Sequence, residues 1–140
     1  MAQEIRVDPI DLELDVAIGI DLPMQNSYGS GFAQTYLTID AAYANARNLL
    51  LTNKGERVMH PDFGCDLRSA TFEFNDALLV TNIDAKIRTQ FEFWLPYIFI
   101  NELTITPSED ENSVFVKLTI SLQGNQLDTR SITLQLNTNQ

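Results

Sequence analysis

The chain has 140 residues, 44% of them apolar, a formal net charge of -10 and a pI near 4.3. That is one domain with enough apolar residues for a real core, and it argues against disorder. Lysine and arginine are few and scattered, which argues against direct nucleic-acid binding. No apolar run reaches membrane-spanning length and no signal peptide opens the chain, so a soluble protein made in a cytoplasm is expected. The acidity serves solubility or docking on basic protein surfaces.

Residues 1–34 read as an extended arm and loop. Ile10, Leu12 and Leu14 alternate with Asp11, Glu13 and Asp15, which is a strand period, and residues 16–22 continue extended up to Pro23. Ser27, Gly29, Ser30 and Gly31 make a turn-rich loop. Such an arm either packs on a neighbouring subunit or adds an edge strand to its own domain.

Residues 35–140 read as the main domain. Thr38 or Asp40 can cap a helix whose apolar face is Ile39, Ala42, Tyr43, Ala46, Leu49 and Leu50. Asn53-Lys54-Gly55 breaks that helix, with Gly55 suited to a left-handed C-terminal position and Lys54 to the negative end of the dipole. Glu56, Arg57 and the residues up to Met59 can run extended, and Pro61 and Gly64 impose a turn around Phe63. Leu67 leads into a short helix over 68–74, with Phe72 and Phe74 as anchors.

Asn75 or Asp76 starts the strongest helical signal, with Leu79, Ile83, Ile87, Phe91 and Trp94 as a core-facing stripe and Asp84, Lys86, Arg88 and Gln90 toward solvent. Pro96 ends it. A three-strand meander follows. Phe99, Leu103 and Ile105 share a face of the first strand, and an acidic turn spans 107–113. In the second strand Val114, Val116, Leu118, Ile120 and Leu122 alternate with polar residues; a hairpin turn lies at 123–126, and Ile132, Leu134 and Leu136 form the inner face of the last strand. Helices on one face of an antiparallel sheet make an α+β fold.

Catalytic and metal chemistry have weak support. Glu56, Asp62, Asp66 and Glu73 are carboxylates available to a glycosidase, but Glu56 lies between Lys54 and Arg57, where a structural salt bridge is the better reading. His60, Asp62, Cys65 and Asp66 are close in sequence yet match no zinc spacing. His60 and Cys65 lack a cue for an orienting acid, there is no phosphate loop, and Cys65 reads as a small buried residue. No catalytic, cofactor or metal site is expected.

The run over residues 50–57, Leu-Leu-Thr-Asn-Lys-Gly-Glu-Arg, followed by Pro61-Asp62-Phe63-Gly64-Cys65-Asp66-Leu67, resembles the signature of the lysozyme-like baseplate wedge family. These are sheath initiators of contractile phage tails, related to subunits of injection particles and type VI secretion baseplates. The resemblance covers roughly residues 35–137. It implies a non-enzymatic virion subunit in a ring-like baseplate, in several copies, touching wedge proteins, the tail sheath protein and inner tube or hub proteins. A peptidoglycan hydrolase is the alternative. Read from its helix break and turn, the same stretch is the fold linchpin, with Lys54, Gly55, Glu56, Arg57, Pro61, Phe63, Gly64 and Leu67. Leu95-Pro96-Tyr97 replaces a Glu-Pro-Arg wedge-docking motif, keeping its proline and losing its charges. The last strand, with Leu127, Arg130, Ile132, Thr133, Leu134 and Leu136, would accept a sheath strand, because 131–136 carries neither charge nor proline.

Overall fold

The computed structural model describes residues 8–13, 15–27, 31–72, 76–108 and 113–137. Leu14, Gly29, Ser30, Glu73, Phe74, Asn75, the turn acids Glu109, Asp110 and Glu111, and the tail beyond residue 137 lie outside them. The element order is a 3-10 helix (Pro9–Leu12), β1 (Gly19–Ile20), β2 (Asn26–Ser27), β3 (Gly31–Phe32), β4 (Gln34–Thr35), α1 (Thr38–Leu51), α2 (Leu67–Thr71), α3 (Asp76–Trp94), β5 (Ile98–Ser108), β6 (Ser113–Leu122) and β7 (Asn125–Asn137).

Among the described residues the alternation at 10–15 does not make a strand, and Pro9–Leu12 form the 3-10 helix instead. Asp8 accepts a hydrogen bond from the Ile10 N–H and Pro9 sits in the first turn, so the local cap wins over the period-2 pattern. Leu12 is 75% exposed, so that pattern has no core to face. The arm forms its own ribbons instead of an edge of the main sheet: β1 pairs with β4 and β2 with β3, both antiparallel. The boundary between residues 34 and 35 therefore falls inside β4.

Neither Thr38 nor Asp40 caps α1. Leu37 holds the cap position without a side-chain bond, and Asp11 reaches in from 27 residues upstream, accepting from both the Thr38 N–H and the Thr38 hydroxyl at 2.7 Å. A cap of this kind contributes about 1 kcal/mol. It also ties the arm to the helix. α1 then buries Ile39, Ala42, Ala44, Ala46, Leu49 and Leu50; the alanines allow close approach. The helix stops at Leu51, with the Thr52 hydroxyl donating back to the Asn48 carbonyl. Lys54 thus lies beyond the last turn, and the positive φ of Gly55 (+87°) belongs to the following loop.

In α3 the predicted stripe is the buried one: Ile83, Ile87 and Phe91 are 0 to 2% exposed and Leu79 is 6%. Each such side chain contributes about 2 kcal/mol of apolar burial. Trp94 is half-buried. Phe72 is not an anchor. It follows the last residue of α2 and is 56% exposed, while Leu67, Ala70 and Thr71 make that helix's buried face.

The main sheet is antiparallel in the order β5-β6-β7. Its inner face carries Val114, Val116, Leu118, Ile120, Ile132, Leu134 and Leu136 against the helices, while the other face is mostly hydroxyls and amides. Phe99 does not share a face with Leu103 and Ile105. Two β5 residues, Ile100 and Asn101, oppose one of β6 there, and this bulge reverses the alternation. Ile98 and Ile100 therefore face inward before it, and Phe99 is 49% exposed. Gly124, at φ +101°, turns the β6–β7 hairpin.

Candidate functional site

The sheet has two edges, and they differ. β5 is blunted by the Asn101 bulge, the Glu102 carboxylate and Pro107, each of which obstructs an added strand. β7 keeps an unbroken register with β6 from Thr129, opposite Ser121, to Asn137, opposite Ser113. Residues 131–137 hold no charge and no proline. Among the described residues no strand lies beyond β7.

The residues expected on this strand separate into four groups. Leu127 falls in a stretch outside the ladder, since Asn125 pairs with Leu122 and the next pair is Thr129 with Ser121; it is 73% exposed. Arg130 is already engaged, donating to Asp40 of α1 at 3.1 Å and to Asp128 at 2.7 Å. Its parity with Ile132 puts it on the inner face, a signal present in the sequence. Ile132, Leu134 and Leu136 are spent on the chain's own core, so what they offer a partner is backbone; Thr133 is exposed.

Two clefts flank β7 where α1 runs beside it. One, of about 490 Å³, is lined by Asp21, Gln34, Thr35, Tyr36, Leu37, Asp40, Tyr43 and Arg130. The other, of about 190 Å³, lies at the far end, between Leu50, Leu51, Leu67, Phe72 and Leu136, with Asn53 and Arg68 among its polar lining.

The 53–66 loop folds back over the end of α1. The Gly55 N–H donates to the Pro61 carbonyl at 2.7 Å, and the Cys65 N–H to Leu49 at 3.2 Å. Phe63 is buried with its ring edge-to-face on Trp94, centroids 5.2 Å apart, and the Arg57 guanidinium carbon sits over the Phe63 ring, 4.2 Å from its centroid. Gly64 (φ +120°) and Leu67 are buried beneath. Lys54 and Pro61 are exposed, as are Val58 and Met59.

Glu56 is not in a salt bridge with Lys54 or Arg57. Its carboxylate accepts from the Asn53 N–H at 2.9 Å and from the Asn53 amide at 2.7 Å, because the turn places Asn53 within reach first. The backbone bond, then the side-chain bond, hold its carboxyl below the usual range. That is the reverse of what a glycosidase acid needs. Asp66 accepts from the Ser69 hydroxyl, Asp62 is exposed, and Glu73 lies outside the described residues. Among the described residues no three His, Cys, Asp or Glu side chains gather. His60 stacks edge-on to Trp94 at 5.5 Å, whereas Cys65 is buried at 1% exposure.

Burial pushes the Cys65 thiol up to about 12, against a smaller opposing effect of Lys54. The unfolded thiol ionises near ~8.5, so between these values the folded chain keeps a proton that the unfolded chain loses. Stability should therefore fall as pH rises above the ordinary thiol range, with a limiting slope of about 1.4 kcal/mol per pH unit. Urea titrations from pH 7 to 10.5 check this; Cys65→Ala should remove that part of the slope.

Of the Leu95-Pro96-Tyr97 segment, Leu95 is a core residue at 7% exposure and is unavailable for docking. Its N–H still closes the last turn of α3 onto Phe91, which carries its side chain inward. Pro96 is exposed, and the Tyr97 hydroxyl accepts from the Asn45 amide at 3.0 Å.

The profile of the family described as "Baseplate wedge protein gp25" matches residues 43–127, more than half of the chain. Baseplate wedge protein gp25 of Enterobacteria phage T4 is 30% identical over 88 residues, which are 63% of this chain and 67% of that protein. Among solved structures, a chain of the sixfold-symmetrised cryo-EM baseplate of the anti-feeding prophage superposes with a TM-score of 0.58 at 21% identity, over 86% of this chain and 84% of that one. A Geobacter sulfurreducens protein described as a "putative tail lysozyme" superposes with a TM-score of 0.61 at 22% identity, over 71% and 90%. These two show a shared fold. The linchpin loop, α2, α3 and the β5–β6 hairpin all fall inside the matched region, and on that match the chain belongs to the baseplate wedge protein gp25 family, whose place is the tail baseplate.

Proposed function

We propose that this chain is a structural, non-enzymatic wedge subunit that joins the wedge core of a contractile-tail baseplate to the first sheath ring and starts sheath assembly by strand addition. The observation that carries this reading is the asymmetry of the sheet: β5 is obstructed by a bulge, a carboxylate and a proline, and β7 is left regular and uncharged from Ser131 to Asn137. An exposed strand rim is an aggregation hazard that soluble proteins blunt, unless a partner takes it. The proposed partners are wedge proteins, the tail sheath protein and inner tube or hub proteins, with several copies around a ring. For wedge docking the exposed remnant of the 95–97 segment, Pro96 with part of Tyr97, is the available surface. The hydrolase alternative draws on a neighbour whose likeness is one of fold, and Glu56 is tuned away from proton donation.

A benzophenone attached at Thr133→Cys tests the reading, since the native Cys65 is buried. In tails assembled with this variant, irradiation should conjugate the chain to the sheath protein. The same probe at Thr104→Cys on β5 should give at most a tenth as much. Equal conjugation from both edges, or none to sheath from β7, overturns the reading.

A further inference from the structure

Resting on strand addition at β7, we infer that the two clefts beside this edge select the incoming strand by its side chains: it carries a lysine or arginine and a large apolar residue six positions apart on one face. Arg130, Ile132, Leu134 and Leu136 share the inner face of β7, and Arg130 and Leu136 mark the two clefts. Six strand residues span about 20 Å. Asp40 and Leu51 of α1, which line the same two clefts, lie about 16 Å apart along that helix, so α1 tracks the edge over nearly the same distance. Alternate residues of a strand added here would face the helix side, and positions six apart would match the spacing of the two clefts.

The chemistry of the clefts differs. The larger one holds two carboxylates, Asp21 and Asp40, against the one guanidinium of Arg130, which is further neutralised by Asp128 at 2.7 Å. Net negative charge of this kind suits an ammonium or guanidinium group. The smaller cleft is walled by Leu50, Leu67 and Leu136, with Leu51 at 52% and Phe72 at 56% exposure at its rim. Two exposed large apolar side chains flanking one groove suit an apolar side chain that covers both. The exposure of Phe72, unexplained by the chain's own core, finds a role here.

Overlapping 15-residue peptides tiling the sheath protein of the same particle serve as the probe, with binding to the intact protein read by fluorescence anisotropy. The bound peptides should contain the basic and apolar pair at six-residue spacing. Replacing the basic residue by glutamate should weaken binding about tenfold, and Asp21→Lys should restore the affinity of that altered peptide while weakening the original. Leu51→Glu should weaken both; Phe115→Glu, on the opposite face of the sheet, should leave them unchanged. Sheath peptides that bind equally well whatever occupies the two positions overturn the selection rule and leave strand addition standing. Failure of every peptide to bind overturns the selection rule, and together with no conjugation from Thr133→Cys it overturns strand addition as well.

Discussion

Gly64→Val should destabilise the protein by about 2–6 kcal/mol and lower Tm by roughly 6 °C or more. Two penalties add. A valine at φ +120° is held in a region that costs a branched residue about 1–3 kcal/mol. Its Cβ would also be driven into the carbonyl of Thr52, with that group's carbon at 2.9 Å and the Asn53 carbonyl carbon at 3.2 Å. Those are backbone atoms at the exit of α1, so they cannot rotate away, and overpacking of this kind costs a further 1–3 kcal/mol or so. Gly55→Ala separates the two. Gly55 also has positive φ, yet nothing lies within 4 Å of its added Cβ, so only about 1 kcal/mol should be lost. Thermal and urea unfolding followed by circular dichroism check both. A Gly64→Val melt within 1 kcal/mol of the parent would mean the loop does not press on the helix end.

Phe63→Ala should cost about 3–5 kcal/mol, the range for a buried aromatic. Phe63 holds the loop down: it is 7% exposed and its ring meets Trp94 at an interplanar angle of 71°. Truncation opens a cavity under the loop and removes the face over which Arg57 lies. Arg57→Ala, by contrast, removes an exposed cation and should cost less than about 1 kcal/mol. Trp94 is the only tryptophan in the chain, so its fluorescence reports the change directly. Its emission should shift to the red in native Phe63→Ala and stay in place in Arg57→Ala. Urea midpoints give the energies. Because Trp94 also touches His60 and Phe93, a loss confined to the loop would leave the far-ultraviolet spectrum near that of the parent.

The 50–67 stretch that carried the resemblance folds back over the end of α1, with Gly64 against the Thr52 carbonyl and Phe63 against Trp94. Its legibility has a physical cause. A glycine at positive φ against a backbone carbonyl, and an aromatic between a turn and a helix, tolerate few substitutes. Glu56, by contrast, is not in the salt bridge its neighbours suggest, because Asn53 supplies two hydrogen bonds while Arg57 lies over the Phe63 ring and Lys54 is exposed.

By itself, the sequence determined the apolar faces of α1 and α3, the α+β class, the β5–β7 meander and the inner face of β7. Each is a period of 2 or 3.6 carried by neighbours in the chain, so local geometry suffices to express it. Only the tertiary structure decided that Asp11 caps α1 from 27 residues away, and that Arg130 closes onto Asp40 from 90 away. It alone set the bulge at Asn101 that turns Phe99 outward and the burial of Leu95. Those features depend on which distant groups meet once the layers stack, and a periodicity contains no information about its partner.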